Sequence, residues 1–416
     1  MVNYQSSIDR LYQYLIIAAF FLLPLTVSGN NIAIWLVVLI WLFSGNYLEK
    51  FKKITDNKLA IASILFFTVH ILGLLWTSNI PWGIEMVRKM LPFLFVLPVF
   101  LTITRKENIK YYIAAFLLGI SISEGLSYLI WFGIIEPFKY ATLENPTPLM
   151  SHVSYNPFLA FAIYLVLNKL FSGEILSQSK RVLYTFFTLT MSINMFITGG
   201  RAGQVMFFVA IVIVVFQYFR NSQIKAIFTS IILISIVSFL AFNYSQTFKT
   251  RVLEGVTNVI NFENTPNTSV GQRLTFAINS YKLFLAHPLI GVGTGDFPDE
   301  YFKINWINTP DVWHTSQPHN MYLLILAEFG ILGIFSFLYI FYTQFRIALL
   351  VSNKQIHQLG IAMPLLFLVI MFSDSYLLGH YTSNLYILFS AFTVSYTHLR
   401  AHETPEHLVC RLLLEK

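Results

Sequence analysis

The sequence predicts an all-α, polytopic integral membrane protein with about twelve transmembrane helices. Of its 416 residues, 56% are hydrophobic and only 11% are charged, which is far from the composition of an average soluble domain. Aromatic residues make up 17% of the chain, as is typical of proteins with many bilayer crossings and aromatic belts at the interfaces. Long apolar runs alternate with short basic segments along nearly the whole chain. These three observations exclude an ordinary soluble domain.

The apolar runs define the predicted spans, because a transmembrane helix needs about 20 mostly apolar residues. We expect spans near 11–28, 32–44, 59–76, 84–103, 111–135, 153–171, 182–198, 202–219, 226–243, 319–343, 360–373 and 376–394. The first run has no small-residue cleavage site after it, so we interpret it as a retained span. Together the spans predict a single membrane domain over residues 1–394.

The distribution of basic residues predicts the orientation of these spans. With a cytoplasmic N-terminus, the cytoplasmic segments contain Arg10, Lys50, Lys52, Lys53, Lys58, Arg105, Lys106, Lys110, Lys169, Lys180, Arg181, Arg220, Lys225, Arg346 and Lys354. The opposite short loops contain only Lys139 and Arg201. The positive-inside rule therefore places both termini in the cytoplasm. It also accounts for the net charge of +7, so we expect no nucleic-acid partner.

The longest loop, about residues 244–318, is then external and lies between the ninth and tenth spans. A long segment of this kind in a compact bundle is usually functional. Its apolar residues recur at helical spacing, at Leu274, Ala277, Ile278, Tyr281 and Leu285. This spacing predicts an amphipathic helix that rests on the bundle, and His287-Pro288 would end it.

The last residues, 395–416, differ in composition from the rest. They hold three of the ten histidines and the only cysteine, Cys410. The stretch "SYTHLRAHETPEHLVCRLLLEK" resembles translated sequencing-adapter read-through, and we expect it to be non-native and without function. The alternative is a basic amphipathic cytoplasmic helix. Without Cys410 the body of the chain has no thiol chemistry.

His319 is the candidate catalytic residue. It lies in "QPHNMYLLILAEFGILG", at the external end of the tenth span, with Ser316 available as a helix cap. The positive end of a helix dipole disfavours an imidazolium, so we expect a neutral ring that can accept a proton from a hydroxyl group. A positioned base of this kind contributes about 10²- to 10⁴-fold in rate. The alternative is an interfacial histidine that binds water or a carbonyl.

Two arginines are candidate phosphate ligands. Arg201 lies in the external turn "TGGRAG", residues 198–203, where glycines permit close approach and a guanidinium can bind a phosphate bidentately. Arg273 opens the predicted loop helix, where a helix N-terminus also attracts anions. The alternatives are a snorkelling arginine that anchors a helix and a solvated loop charge.

Two further patterns in the loop could bind an ion, but an ordinary turn explains each of them more simply. Gly291, Gly293 and Gly295 could form an anion nest, but they follow a helix, so ordinary turn chemistry is favoured. Asp296, Asp299 and Glu300 could bind a divalent ion, although a solvated acidic turn is the default. We expect no metal and no other cofactor, in which case arginines must neutralise any bound diphosphate.

Several other polar residues are secondary candidates for the site. They are Arg88, His152, Asn320, Tyr322 and Glu328. Charged groups within the bilayer are costly and should face the bundle interior or a cavity, and this holds also for Asp374. For Arg88, a side chain that snorkels to the membrane interface is an equally good interpretation.

These motifs resemble the O-antigen ligase and O-antigen polymerase superfamily. The similarity rests on "TGGRAG", on Arg273 followed by "HPLIGVGTGDF", and on "PHNMYLLILAEFGILG", in that order over roughly residues 190–335. It implies a twelve-span bundle with a large periplasmic loop between the ninth and tenth spans. Matched by position, Arg201 and Arg273 would bind pyrophosphate and His319 would be the catalytic histidine.

The resemblance also implies a substrate and a location. We expect an inverting, metal-independent transfer from an undecaprenyl-diphosphate-linked glycan at the periplasmic face of the bacterial inner membrane. The first expectation is O-antigen ligation to lipid A core. The alternatives are a repeat-unit polymerase with a glycan acceptor, a protein O-oligosaccharyltransferase and, in a different class, a transporter or flippase for the lipid-linked sugar.

Overall fold

The computed structural model describes residues 2–394, except residue 174 and residues 263–265. Over this part of the chain the fold is all-helical, with 77% helix and no strands. The helices are α1 Val2–Leu22, α2 Val27–Phe43, α3 Tyr47–Thr55, α4 Lys58–Leu72, α5 Ile80–Leu94, α6 Val96–Ile103, α7 Ile109–Trp131, α8 His152–Phe171, α9 Gln178–Ile197, α10 Arg201–Tyr218, α11 Gln223–Tyr244, α12 Gln246–Ile260, α13 Ser269–Ala286, α14 Phe297–Asn308, α15 Met321–Leu350, α16 Lys354–Ile370 and α17 His380–Val394. The tail that we expect to be non-native, residues 395–416, lies outside the described residues.

Each of the predicted spans overlaps at least one helix of the structure. Six helical stretches are long and apolar enough to cross a membrane, namely Lys58–Trp76, Ile80–Ile103, Lys106–Trp131, Arg201–Tyr218, Gln223–Tyr244 and Met321–Leu350. Val27–Phe43 and Lys354–Ile370 are shorter apolar helices. The membrane character is thus confirmed, and the count of twelve spans stays a prediction.

The helix α8 lies at the centre of the bundle, where it packs against α7, α9, α10 and α17. Every residue from Tyr155 to Val166 is buried, as expected for a helix that is apolar on all sides. Its approach to α10 is close, because a Cβ on Gly203 would lie 2.2 Å from Cβ of Asn156. This approach brings the N-terminal ends of α8 and α10 together, and with them His152 and Arg201.

The long helix α15 is broken at Gly330, whose φ of 59° and ψ of −150° are accessible essentially only to glycine. The segment that follows α13 fills the break. Ile331 N donates to Pro288 O at 2.9 Å, and Val292 N donates to Ala327 O at 2.9 Å. Non-helical backbone is tolerated in a membrane protein where other protein groups satisfy it, as they do here. The "HPLIGVGTGDF" motif therefore joins the loop to α15.

Between α11 and α15 the described residues form three helices, α12, α13 and α14, whereas the sequence predicted one. α13 contains the predicted amphipathic helix and ends at Ala286, directly before His287-Pro288, as expected. It packs against α12, α14 and α15. This arrangement holds the segment between α11 and α15 against the end of the bundle where α8, α10 and α15 begin.

Candidate functional site

His319 lies just outside α15 and not within its first turn. Asn320 is the N-cap, and its side-chain oxygen accepts a hydrogen bond from Leu323 N at 3.1 Å, so the expectation that Ser316 caps this helix is wrong. The Asn320 amide also donates to Phe372 O at 3.1 Å, which gives this secondary candidate a structural role. His319 itself adopts a φ of 51°, an uncommon conformation for a residue other than glycine.

The imidazole of His319 has an acidic partner. Its Nδ1 lies 3.1 Å from Oδ1 of Asp374, in the turn between α16 and α17. A carboxylate only accepts hydrogen bonds, so Nδ1 carries the hydrogen and the lone pair of a neutral ring is on Nε2. Ser375 N donates to the same Oδ1 at 2.7 Å and fixes the carboxylate. The sequence predicts Asp374 only as a charge within the bilayer and does not predict this pair.

Helix α13 presents a second group to the histidine. The rings of Phe276 and His319 have centroids 6.1 Å apart and an interplanar angle of 26°. Arg273 lies three residues before Phe276, on the same side of α13. It does not open this helix, contrary to expectation, because α13 begins at Ser269 after the cap residue Thr268. The helix dipole is strongest in the first turn, so Arg273 must attract an anion mainly through its own charge.

Arg201 is the first residue of α10, directly after the glycine turn. Gly199 N donates to the side-chain oxygen of Asn145 at 2.8 Å, which fixes the turn. Gly200 approaches α8 so closely that a Cβ there would lie 2.5 Å from His152 O. The glycines thus permit contact between protein segments, which holds Arg201 beside the N-terminus of α8.

Two residues of α12 complete a charged cluster around Arg201. Oε2 of Glu254 lies 3.5 Å from Nη2 of Arg201 and 3.3 Å from Nη1 of Arg251. All three side chains are partly exposed, at 28% for Arg201, 37% for Arg251 and 46% for Glu254. One carboxylate therefore bridges two guanidinium groups that solvent can reach. The sequence does not predict Arg251 and Glu254 as site residues, because a charge in a long polar loop has no distinguishing pattern.

His152 connects this cluster to Arg273. It is half-buried at the start of α8, outside the predicted span 153–171. Burial lowers the pKa of His152, and the charges of Arg251 and Arg273 lower this pKa further. The charge of Arg273 also acts on Arg201 and on Tyr376, two residues after Asp374. The structure thus brings His152, Arg201 and Arg273 to the end of the bundle that carries the His319–Asp374 pair.

Three secondary candidates lie apart from the His319–Asp374 pair. Arg88 is an exposed residue of α5 that pairs with Glu85 at 2.9 Å. The Tyr322 hydroxyl donates to Leu368 O at 2.6 Å and joins α15 to α16. Glu328 is buried in α15 beside the Gly330 break, and neither of its carboxylate oxygens has a hydrogen-bond partner in the described structure. None of the three contacts His319 directly.

The glycines and carboxylates of the loop form hydrogen bonds and an ion pair within the protein. The amides of Gly291, Gly293 and Gly295 donate to His287 O, Glu328 O and Thr77 Oγ1, so they do not form an anion nest. Asp296 accepts hydrogen bonds from the backbone of Ser78 and Asn79, Asp299 accepts one from the Asn79 amide, and Glu300 pairs with Lys303. Among the described residues no three His, Cys, Asp or Glu side chains cluster as a metal site.

Two large cavities lie away from the candidate site residues, and a smaller one borders them. One of about 700 Å³ lies among α7, α8, α9 and α16, beside Lys110 and Lys169. Another of about 700 Å³ lies beside Arg10 and Lys53. Neither contains a candidate site residue, and Lys169 is at the opposite end of α8 from His152. A smaller cavity of about 250 Å³ is lined by Asp374 and therefore borders the histidine pair.

Part of the chain resembles a known family. No curated protein matches the chain. Residues 186–338, a segment that includes Arg201, Arg251, Arg273 and His319, match the family model described as O-Antigen ligase. This segment of the chain is therefore similar to the O-antigen ligase family.

Proposed function

We propose that the protein transfers a glycan from an undecaprenyl-diphosphate carrier to an acceptor hydroxyl, with His319 as the general base. The observation that carries the proposal is the His319–Asp374 hydrogen bond, 3.1 Å long, at the same end of the bundle as three arginines. We further propose that this end faces the periplasm across the bacterial inner membrane, that the bundle has twelve spans, and that both termini are cytoplasmic.

The proposed reaction is a single displacement. His319 Nε2 removes the proton from the acceptor hydroxyl while the acceptor oxygen forms a bond to the anomeric carbon. The bond from that carbon to the diphosphate oxygen breaks, and its electron pair leaves with the undecaprenyl diphosphate. Attack from the face opposite the leaving group inverts the anomeric configuration. Asp374 orients the ring and stabilises the imidazolium that forms, as a carboxylate does in a catalytic triad.

The arginines stabilise the leaving group. Negative charge on the diphosphate grows as its bond to the sugar breaks, so cations held beside it bind the transition state more tightly than the ground state. Arg201 and Arg273 are the proposed pyrophosphate ligands, and Arg251 is close enough to act as a third. The diphosphate would displace Glu254, which bridges Arg201 and Arg251 in its absence. With this cationic site, transfer requires no divalent ion.

Transfer by purified protein tests the proposal. In detergent, with a chelator and no sealed compartment, the wild-type protein should join a glycan from undecaprenyl diphosphate to an acceptor. His319→Ala should reduce transfer at least about 100-fold, as expected for loss of a general base. His314→Ala is the matched control, an exposed histidine five residues earlier, and should retain activity. A protein that moves the lipid-linked glycan only across sealed vesicles would instead be a transporter.

The acceptor is proposed to be lipid A core, which makes the protein an O-antigen ligase. A lipopolysaccharide gel of a null strain separates this assignment from its alternatives. Bare core together with accumulated lipid-linked polymer indicates a ligase. Core bearing a single repeat unit indicates a polymerase, and unchanged lipopolysaccharide with loss of a glycosylated protein indicates a protein O-oligosaccharyltransferase.

A further inference from the structure

A small polar cavity borders the histidine pair and has no assigned role. Its volume is about 250 Å³, below the roughly 300–1,000 Å³ of pockets for drug-sized ligands. Trp82 and Lys89 of α5 form one side, and Ser154, Gln317, Asp374 and Ser375 are among the residues on the others. We call it the Trp82–Lys89 cavity. Because Asp374 also binds His319, a group in this cavity lies one side chain away from the proposed base.

The lining has the chemistry that binds a sugar ring. A sugar presents apolar C–H faces, which pack on an aromatic ring such as Trp82, and a rim of hydroxyl groups. Trp82 Nε1 and Ser375 Oγ are buried without a hydrogen-bond partner in the described structure, although a buried polar group normally has one. Ser375 is only 4% exposed. A ligand with several hydroxyl groups would supply the missing partners.

Lys89 adds a positive charge to a cavity whose wall also carries the Asp374 carboxylate. Its Nζ lies 5.5 Å from the centroid of the Trp82 ring and 4.0 Å from Oε1 of Glu85. Glu85 binds Arg88 more closely, at 2.9 Å, so it neutralises Lys89 only weakly. The arginines proposed to bind the donor diphosphate do not line this cavity. An anion bound beside Lys89 would therefore belong to the other substrate.

We propose that the Trp82–Lys89 cavity binds the acceptor sugar, and that Lys89 selects an acceptor bearing a phosphate or carboxylate near the accepting hydroxyl. This inference rests on the proposed glycan transfer and names the acceptor class for it. The sugar packs on Trp82, its hydroxyl groups bind Gln317, Ser154 and Ser375, and its anionic substituent pairs with Lys89. The accepting hydroxyl then extends beyond the cavity to Nε2 of His319, the ring nitrogen that does not bind Asp374.

Steady-state kinetics of purified variants test this assignment. Lys89→Gln should raise the KM for an anionic acceptor roughly tenfold or more, as expected for loss of a charge-assisted hydrogen bond, and leave the KM for the donor unchanged. Lys225→Gln is the matched control, because Lys225 is an exposed lysine that is absent from the cavity wall. Trp82→Ala should raise the acceptor KM for charged and uncharged acceptors alike.

The outcomes separate this inference from the function on which it rests. Enzymatic removal of phosphate from the acceptor should abolish the difference between wild type and Lys89→Gln if the anion is a phosphate. If the difference persists, reduction of the acceptor carboxylate should abolish it. A Lys89→Gln variant with an unchanged acceptor KM, or with only its donor KM raised, overturns the acceptor assignment. A wild-type protein that transfers no glycan refutes the proposed function instead.

Discussion

Nδ1 of His319 lies 3.1 Å from Oδ1 of Asp374, a residue 55 positions later in the chain. The two residues belong to different segments, one before α15 and one between α16 and α17. Phe276 of α13 packs against the ring of His319 from a third segment. The orientation of the imidazole thus depends on three parts of the chain that are distant in sequence, as expected for the proposed catalytic role.

Asp374→Asn tests the orienting role of the carboxylate. An amide can donate as well as accept, so it no longer requires the hydrogen on Nδ1, and Nε2 loses its lone pair in part of the molecules. We expect kcat to fall roughly 10²- to 10⁴-fold, with little change in donor binding. Asp311→Asn, at an exposed loop residue, should retain full activity. Equal rates for wild type and Asp374→Asn would remove Asp374 from the mechanism.

Glu254 competes with the donor for two arginines in our account. Glu254→Gln should therefore lower the donor KM, by up to about fivefold, because a partly exposed ion pair is worth about 0–1 kcal/mol. Arg251→Gln should raise the donor KM. Lys249→Gln, on the same helix, is the control and should change neither value. If Glu254→Gln raised the donor KM, Glu254 would serve to position Arg201, and the competition proposed here would be wrong.

The titration of His152 reports on the arginine cluster. Burial and the charges of Arg251 and Arg273 lower its pKa below the ordinary value of 6.5. The folded protein thus binds fewer protons here than the unfolded chain, and this contribution to stability is lost as the pH falls through 6.5 towards the lowered pKa. NMR of histidine-labelled protein, assigned with His152→Gln, should show a midpoint below 6.5. In Arg251→Gln the midpoint should rise, and an unchanged midpoint would place Arg251 farther from His152.

Gly203 tests the packing that holds Arg201 in place. Gly203→Ala puts a methyl group 2.3 Å from the backbone carbonyl carbon of Asn156, so α8 and α10 must separate. We expect a cost of about 1–3 kcal/mol, seen as a lower Tm in detergent, together with reduced transfer. Gly125→Ala in α7 is the control, since no atom lies within 4 Å of the new Cβ. A Gly203→Ala protein as stable as Gly125→Ala would contradict the close helix approach.

The sequence predicted the apolar helices well because length and composition alone identify them. It predicted less about the loop between α11 and α15. The apolar periodicity that begins at Leu274 made Arg273 look like the start of a helix, whereas Thr268 caps the helix one turn earlier. Thr268 was an available signal, since threonine is a favoured N-cap residue.

The pairings at the site were harder to predict from sequence. Asp374 falls between the apolar runs 360–373 and 376–394, so it was read as a charge within the membrane. Its position at the boundary of two adjacent spans was the signal for a turn at the same side as His319. The contact between Arg251 and Glu254 follows helical spacing, but their contact with Arg201 depends on how α12 packs, which no local pattern encodes.

Single-turnover transfer with separate measurement of donor binding tests the central claim most directly. The claim is that His319 acts on the acceptor while Arg201 and Arg273 hold the diphosphate of the same donor. His319→Gln should bind the undecaprenyl-diphosphate-linked donor with the wild-type Kd and transfer its glycan at least about 100-fold more slowly. Arg273→Gln should weaken donor binding. A correctly folded His319→Gln protein that transfers glycan at the wild-type rate would contradict the account.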